Sequence, residues 1–259
     1  MPTLRLREAP QIPLDLSPLL PGAAIAGDTP LRLGRRQVAL GDLFDLSPGP
    51  EGELRLVGTD GHCDRIGAGL SQGRITIDGD AGADLGLGMS GGEIAVRGSA
   101  GALAGGEMSG GTLRIGGDAG EALGGALPGA GGMSGGAILL DGSCGPRAGQ
   151  RMRKGLIVVG GDAASHAASG MRGGTIVVHG ACAAEPASSM RRGTLYLARA
   201  PERLLPTFAD DGEHELLWLR LLERHLRRLG GTPPLPALRV GRWAGDLADL
   251  GKGELLVAA

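Results

Sequence analysis

One unit recurs along the middle of the chain and restricts its fold more than any other feature. It consists of Leu or Met, two small or basic residues, Gly, a variable residue and an apolar–x–apolar triplet. The copies read LSQGRITIDG from Leu70, MSGGEIAVRG from Met89, MSGGTLRIGG from Met108 and MSGGAILLDG from Met133. They continue as MRKGLIVVGG from Met152, MRGGTIVVHG from Met171 and MRRGTLYLAR from Met190. The anchors are spaced by 19, 19, 25, 19, 19 and 19 residues, so the one departure is a six-residue insertion placed within residues 124–132. PEGELRLVG ahead of Gly58 reads as a degenerate earlier copy.

A period of 19 is too short for a helical-hairpin repeat, and each copy holds one strand-like triplet with period-2 alternation. Such a unit cannot bury its apolar side alone and must stack on its neighbours. The pattern predicts an all-β solenoid: a right-handed parallel β-helix of about seven or eight turns at ~4.8 Å per step. The Gly three residues after each anchor, from Gly73 to Gly193, fits a corner that requires positive φ. The Met anchors (Met89, Met108, Met133, Met152, Met171, Met190) and the column from Ile75 to Leu195 are assigned to the interior. The expected organisation is an N-terminal cap over residues 1–48, the β-helix over 49–199, and a helical and extended tail over 200–259.

Composition agrees with this. Of 259 residues 51 are Gly and only five are aromatic, so the core must be built from aliphatic side chains. The three cysteines form no C-x-x-C and no Cys/His cluster, which removes zinc modules and disulfide frameworks. Cys144 and Cys182 fall in the slot held elsewhere by Ala81, Ala100, Ala119 and Ala163; Cys63 is predicted off that column and more exposed. No stretch approaches the ~18 apolar residues of a membrane span, which predicts a cytoplasmic protein. The net charge of −2 gives no reason to expect nucleic acid. Gly86-Leu-Gly88-Met-Ser-Gly91 matches a dinucleotide fingerprint but straddles a repeat corner with no helix after it. No metal-ligand spacing and no carboxylate pair is marked out, so no catalytic or metal residue is assigned.

Charge is unevenly distributed. Residues 1–142 carry 10 basic and 17 acidic side chains, whereas residues 143–199 carry 8 and 2. The position after the anchor is Ser71, Ser90, Ser109 and Ser134, then switches to Arg153, Arg172 and Arg191, with Lys154 and Arg192 beside two of them. Stacking places those Arg ~5 Å apart, an arrangement that favours anions. It predicts a strip that holds an anionic carrier or an acidic partner; a solvated face of splayed side chains is the other reading. In the tail, residues 213–229 are predicted to form a helix with two apolar surfaces. Phe208, Trp218 and Trp243 suggest an interface there. VALGDLFDL from Val38 reads as strand-like.

The M-S-G-G copies resemble the glycine-repeat β-helix shared by the C-terminal part of large-subunit glutamate synthase and the C component of formylmethanofuran dehydrogenase. VALGDLFDL and RWAGDLADLGKGELLV (residues 242–257) are similar to segments flanking the repeats in that component. The resemblance implies a non-catalytic scaffold subunit whose partners, among them amidohydrolase-like, formyltransferase and molybdoenzyme-like chains, carry the chemistry. Two settings follow. In one, a bacterial formyltransferase/hydrolase complex moves formyl from formyl-tetrahydromethanopterin to a methanofuran-type carrier and on to formate. In the other, an archaeal complex reduces CO2. The predominance of Arg over Lys, 24 to 2, leans toward the bacterial setting. A glutamate-synthase-type structural module and an enzyme with a site along the rod remain the alternatives. No cofactor is expected on this chain alone; a methanofuran-type carrier belongs to the complex.

Overall fold

The computed structural model describes residues 2–231 and 233–259. The strands are β1 (Pro2–Leu6), β2 (Leu14–Asp15), β3 (Pro30–Leu33), β4 (Arg36–Ala39), β5 (Phe44–Pro48), β6 (Glu53–Val57), β7 (Cys63–Asp64), β8 (Arg74–Asp78) and β9 (Glu93–Val96). They continue as β10 (Ser109–Ile115), β11 (Gly135–Leu140), β12 (Leu156–Val159), β13 (Arg172–Val178), β14 (Arg192–Leu197), β15 (Ala209–Glu215), β16 (Arg239–Gly245) and β17 (Lys252–Ala258). Helices are few: the single turn α1 (Leu40–Leu43) and α2 (Trp218–Leu229).

Thirteen strands form one sheet in the order β15-β16-β17-β14-β13-β12-β11-β10-β9-β8-β6-β1-β5. The run from β1 to β17 is parallel, and its edges are closed by antiparallel β5 on one side and β16 and β15 on the other. Strands β6 and β8–β14 are the successive repeats, paired in register so that Ile75, Ile94, Leu113, Ile138, Ile157, Ile176 and Leu195 form one column. All of these are buried, as is every Met anchor from Met89 to Met190. The degenerate copy is real, since Leu54 and Leu56 pair with Ile75 and Ile77.

The segments between strands stack as well. Bridges link Ala81, Ala100, Ala119, Cys144, Ala163 and Cys182 in sequence. A second ladder runs beside them: the side-chain oxygens of Asp80, Ser99, Asp118, Ser143 and Asp162 each accept the N–H one repeat later, at 2.7–3.1 Å. Gly111 shows why the corner needs glycine. Its φ is +80°, and a Cβ there would stand 2.7 Å from the Gly92 carbonyl oxygen. The inserted residues leave the stack after Gly125, which still accepts the N–H of Glu107, and rejoin at Gly132, which donates to Arg151.

The sheet also takes in strands outside the repeats: β1 aligns with β6 and β17 with β14, pairing Leu255 with Leu195 and Val257 with Leu197. Other expectations are corrected. The predicted helix over residues 213–229 begins only at Trp218. Residues of β15 are held extended by pairing with β16, interrupted at Asp210/Glu213. VALGDLFDL is broken by the turn α1. Cys63 is fully buried, and its carbonyl accepts the Gly82 N–H just as that of Ala81 accepts the Gly101 N–H. It therefore extends the small-residue column.

The sheet has a second apolar face in its C-terminal half only. Ala137, Leu139, Leu156, Val158, Val177, Tyr196 and Leu256 are buried beneath Leu219 and Leu226 of α2, together with Leu235 and Val240. Arg114 fixes the far end of the helix by donating to the carbonyls of Gly230 (3.0 Å) and Leu229. Those carbonyls are among the unpaired acceptors at a helix C-terminus, and the guanidinium also complements the dipole. The Tyr196 hydroxyl donates to the Ala237 carbonyl (2.8 Å) and accepts its N–H (3.0 Å), which holds the following segment on the sheet.

Candidate functional site: a basic corner between two loops

The switch from Ser to Arg after the anchor is a switch along one physical column. The N–H groups of Ser90, Ser109, Ser134, Arg153, Arg172 and Arg191 each donate to the carbonyl of the anchor one repeat earlier, at 2.7–2.8 Å. The anchor points inward, so the next residue points out, and Arg153, Lys154, Arg172, Arg191 and Arg192 are all exposed.

Their surroundings differ. The guanidinium of Arg153 lies over the inserted segment, in the space where a Cβ on Gly131 would stand. Arg191 is tied to the C-terminal tail: its Nε meets both carboxylate oxygens of Asp249, at 3.0 and 3.1 Å. Among the described residues, Arg172, Lys154 and Arg192 make no ion pair or side-chain hydrogen bond. A sixth cation, Lys252, joins them without having been singled out in the sequence. Arg172 partners Arg192 across a bulge at the start of β13, and Arg192 pairs in register with Lys252, so the three lie on neighbouring strands. The signal was present, since Lys154 and Lys252 are the chain's only lysines, but only the return of β17 puts them together.

Asp249 sits in a turn over residues 246–251. Buried Asp246 accepts the N–H groups of Ser189 and Ala248, both at 3.0 Å, while its carbonyl accepts those of Asp249 and Gly251. Burial alone would raise the Asp246 pKa; the Thr207 hydroxyl beside it and the two N–H donors outweigh that and hold the carboxyl below the usual carboxylate range. The turn leaves Leu247 and Leu250 58% and 48% exposed.

The three aromatic residues expected at an interface differ in burial: Trp218 and Trp243 keep part of their surface exposed, and Phe208 does not. Phe208 is buried in the main core, Trp243 packs against that core, and Trp218 packs against the second. The large apolar residues most exposed in the C-terminal region are Leu217 at the N-cap of α2, Leu221 on it, and Leu247 and Leu250.

Burial pushes the thiols of Cys63, Cys144 and Cys182 up to about 12, so none is a thiolate at neutral pH. Gly86 and Gly88 are positive-φ turn residues leading into β9, not a loop opening a helix. Among the described residues no group of three or more His, Cys, Asp or Glu is placed to hold a metal, and no helix is long and apolar enough to cross a membrane. A cavity of about 690 Å3 lies toward the N-terminal end, over the small sheet of β2, β3 and β4, and is lined by Arg32, Arg35, Arg36 and Arg65 with Asp15.

The GXGXG motif family matches residues 62–225. The C component of the formyltransferase/hydrolase complex Fhc of Methylorubrum extorquens is 54% identical over 266 residues, covering 100% of both chains. Among solved structures, a chain of the formyltransferase/hydrolase complex FhcABCD of Methylorubrum extorquens, crystallised with methylofuran, superposes with a TM-score of 0.92. The two chains are 41% identical there, and 99% of each is covered. With the repeats, the flanking segments and the full length all matched, the chain belongs to the glycine-repeat GXGXG family that includes the C component of the formyltransferase/hydrolase complex.

Proposed function

We propose that this chain is a non-catalytic scaffold subunit of a cytoplasmic formyltransferase/hydrolase complex. That complex would move formyl from formyl-tetrahydromethanopterin to a methanofuran-type carrier and release it as formate. The observation that carries the reading is end-to-end similarity, at 54% identity, to the C component of such a complex. The stacked repeats fit a right-handed parallel β-helix of about seven or eight turns, a stiff frame with distinct surfaces for other chains. The thiols, buried and protonated, serve packing, which supports a structural role with the reaction left to amidohydrolase-like and formyltransferase partners.

On this reading the basic corner is the recognition surface, where Arg153, Lys154, Arg172, Arg191 and Arg192 meet an anionic carrier or an acidic partner. The deciding measurement is mass spectrometry of the native complex captured through this chain. Stoichiometric amidohydrolase-like and formyltransferase chains are expected. A molybdopterin or iron–sulfur chain in their place would favour the CO2-reducing alternative, and a lone homo-oligomer would overturn the scaffold reading. Replacing Arg153, Arg172 and Arg191 by Ser should weaken binding and flatten its salt dependence.

A further inference from the structure

The cations of the basic corner are not spread over an open face. Arg153 lies on the inserted loop, residues 126–131, and Arg191 is clamped to Asp249 of the tail turn, so the corner is bounded by a loop at either end. From the repeat of Met133, where the inserted loop rejoins the stack, to β17 is four strand steps, ~19 Å at the spacing of neighbouring strands. The floor of this bay carries Lys154, Arg172, Arg192 and Lys252. Three of them are partners on adjacent strands, Arg172 and Arg192 across a bulge and Arg192 and Lys252 in register, and like charges so placed repel unless an anion intervenes. Its acidic neighbours are already engaged: Asp249 binds Arg191, and Glu254 binds Arg242 (3.2 Å) and Thr194 (2.7 Å). One rim is apolar, because the tail turn holds Leu247 and Leu250 outward although backbone and side-chain hydrogen bonds fix it in place.

We infer that this bay is the seat of an acidic polypeptide segment from a partner subunit. Its carboxylates lie over Arg172, Arg192, Lys154 and Lys252, and an apolar side chain covers Leu247 and Leu250. The inference deepens the scaffold reading and rests on it. Charge complementarity selects the occupant, since four unneutralised cations in so small an area call for several carboxylates. The adjacent leucines favour a polypeptide with apolar side chains over a free polyanion. Arg172 is the central contact; Arg191 is a positioning residue that orients the tail turn through Asp249.

The two lysines make the test direct. A zero-length carbodiimide reagent joins an amine to a carboxylate only where the two already touch. In the intact complex, links from Lys154 and Lys252 to Asp or Glu of one partner segment are expected, and K154R/K252R should abolish them. R172E and L247S/L250S should each reduce the partner retained at 0.15 M salt by at least ten-fold, while R172K retains it. Unchanged thermal unfolding of each variant guards against misfolding. Partner chains that co-purify without any such link, or that bind R172E as well as the parent, overturn the inference and leave the scaffold reading standing. Variants that keep every partner chain but lose retention of free poly-glutamate identify a soluble polyanion as the occupant and overturn it too. Capture of no partner by the parent chain defeats both.

Discussion

The two halves of the sheet are built from one repeat and yet face different environments. In β6, β8, β9 and β10 the residue between the two core positions is Arg55, Thr76, Ala95 or Arg114, and that face is solvated or crossed by ion pairs such as Arg74–Glu93 at 2.6 Å. In β11, β12, β13, β14 and β17 the same position is Leu139, Val158, Val177, Tyr196 or Leu256, buried under α2 and the segment after it. The first half reads as alternating strands and the second as continuous apolar runs, the difference expected between sheets covered on one face and on two. The inner columns are unaffected. What changes along the molecule is the cover, and Arg114 stands at the boundary with its guanidinium on the end of the helix.

The contrast can be broken most sharply by a charge on the outer face. Val177→Lys should destabilise the protein by about 3–5 kcal/mol in chemical denaturation, because an unpaired ammonium is forced under α2. Thr76→Lys, at the corresponding half-buried position, exchanges a hydrogen bond to Glu53 (2.7 Å) for an ion pair with the same carboxylate and should cost no more than about 1 kcal/mol. Equal effects would mean that the helix does not seal its half. The inner face should show no such asymmetry. Gly111→Ala and Gly174→Ala both place a Cβ at positive φ against the preceding repeat's carbonyl, and each should cost about 2–3 kcal/mol.

Smaller effects sharpen the boundary. Arg114→Ala should cost about 1–2 kcal/mol through the lost carbonyl bonds, and hydrogen exchange should quicken in α2 while β8 and β9 stay protected. Asp118→Ala and Asp162→Ala remove equivalent steps of the polar ladder in the two halves, so each should cost about 1 kcal/mol. The smallest effect is one of pH. Because the Asp246 carboxyl is held below its ordinary value, its contribution is present above the unfolded value of about 4 and is lost as pH falls through the folded one. Exchange in residues 246–251 should therefore rise in acid before the rest of the sheet responds, and Asp246→Asn should remove that dependence.

Much of this was legible without coordinates. Met anchors, apolar columns and corner glycines all follow from one period, because every repeat meets the same neighbours at the same distance. Other features were written in the repeat but unread. The Asp80, Ser99, Asp118, Ser143, Asp162 alternation sits ten residues after each anchor, and the middle triplet residue turns apolar from β11 onward. The Arg column could be placed from spacing, but its counterions could not: nothing local links Arg191 to Asp249, 58 residues away.

The sequence by itself determined the stacked strands, the buried Met, Ile and small-residue columns and the stacking of Arg153, Arg172 and Arg191, since these depend on contacts repeated at a fixed separation. Tertiary structure alone decided that β1 and β17 extend the sheet and that residues 209–215 are strand. It also decided that Phe208 and Trp243 serve the core, and that Lys252 completes a bay closed by two loops. Those outcomes depend on single pairings between distant, non-repeating segments, where no periodicity sums weak preferences into a legible signal.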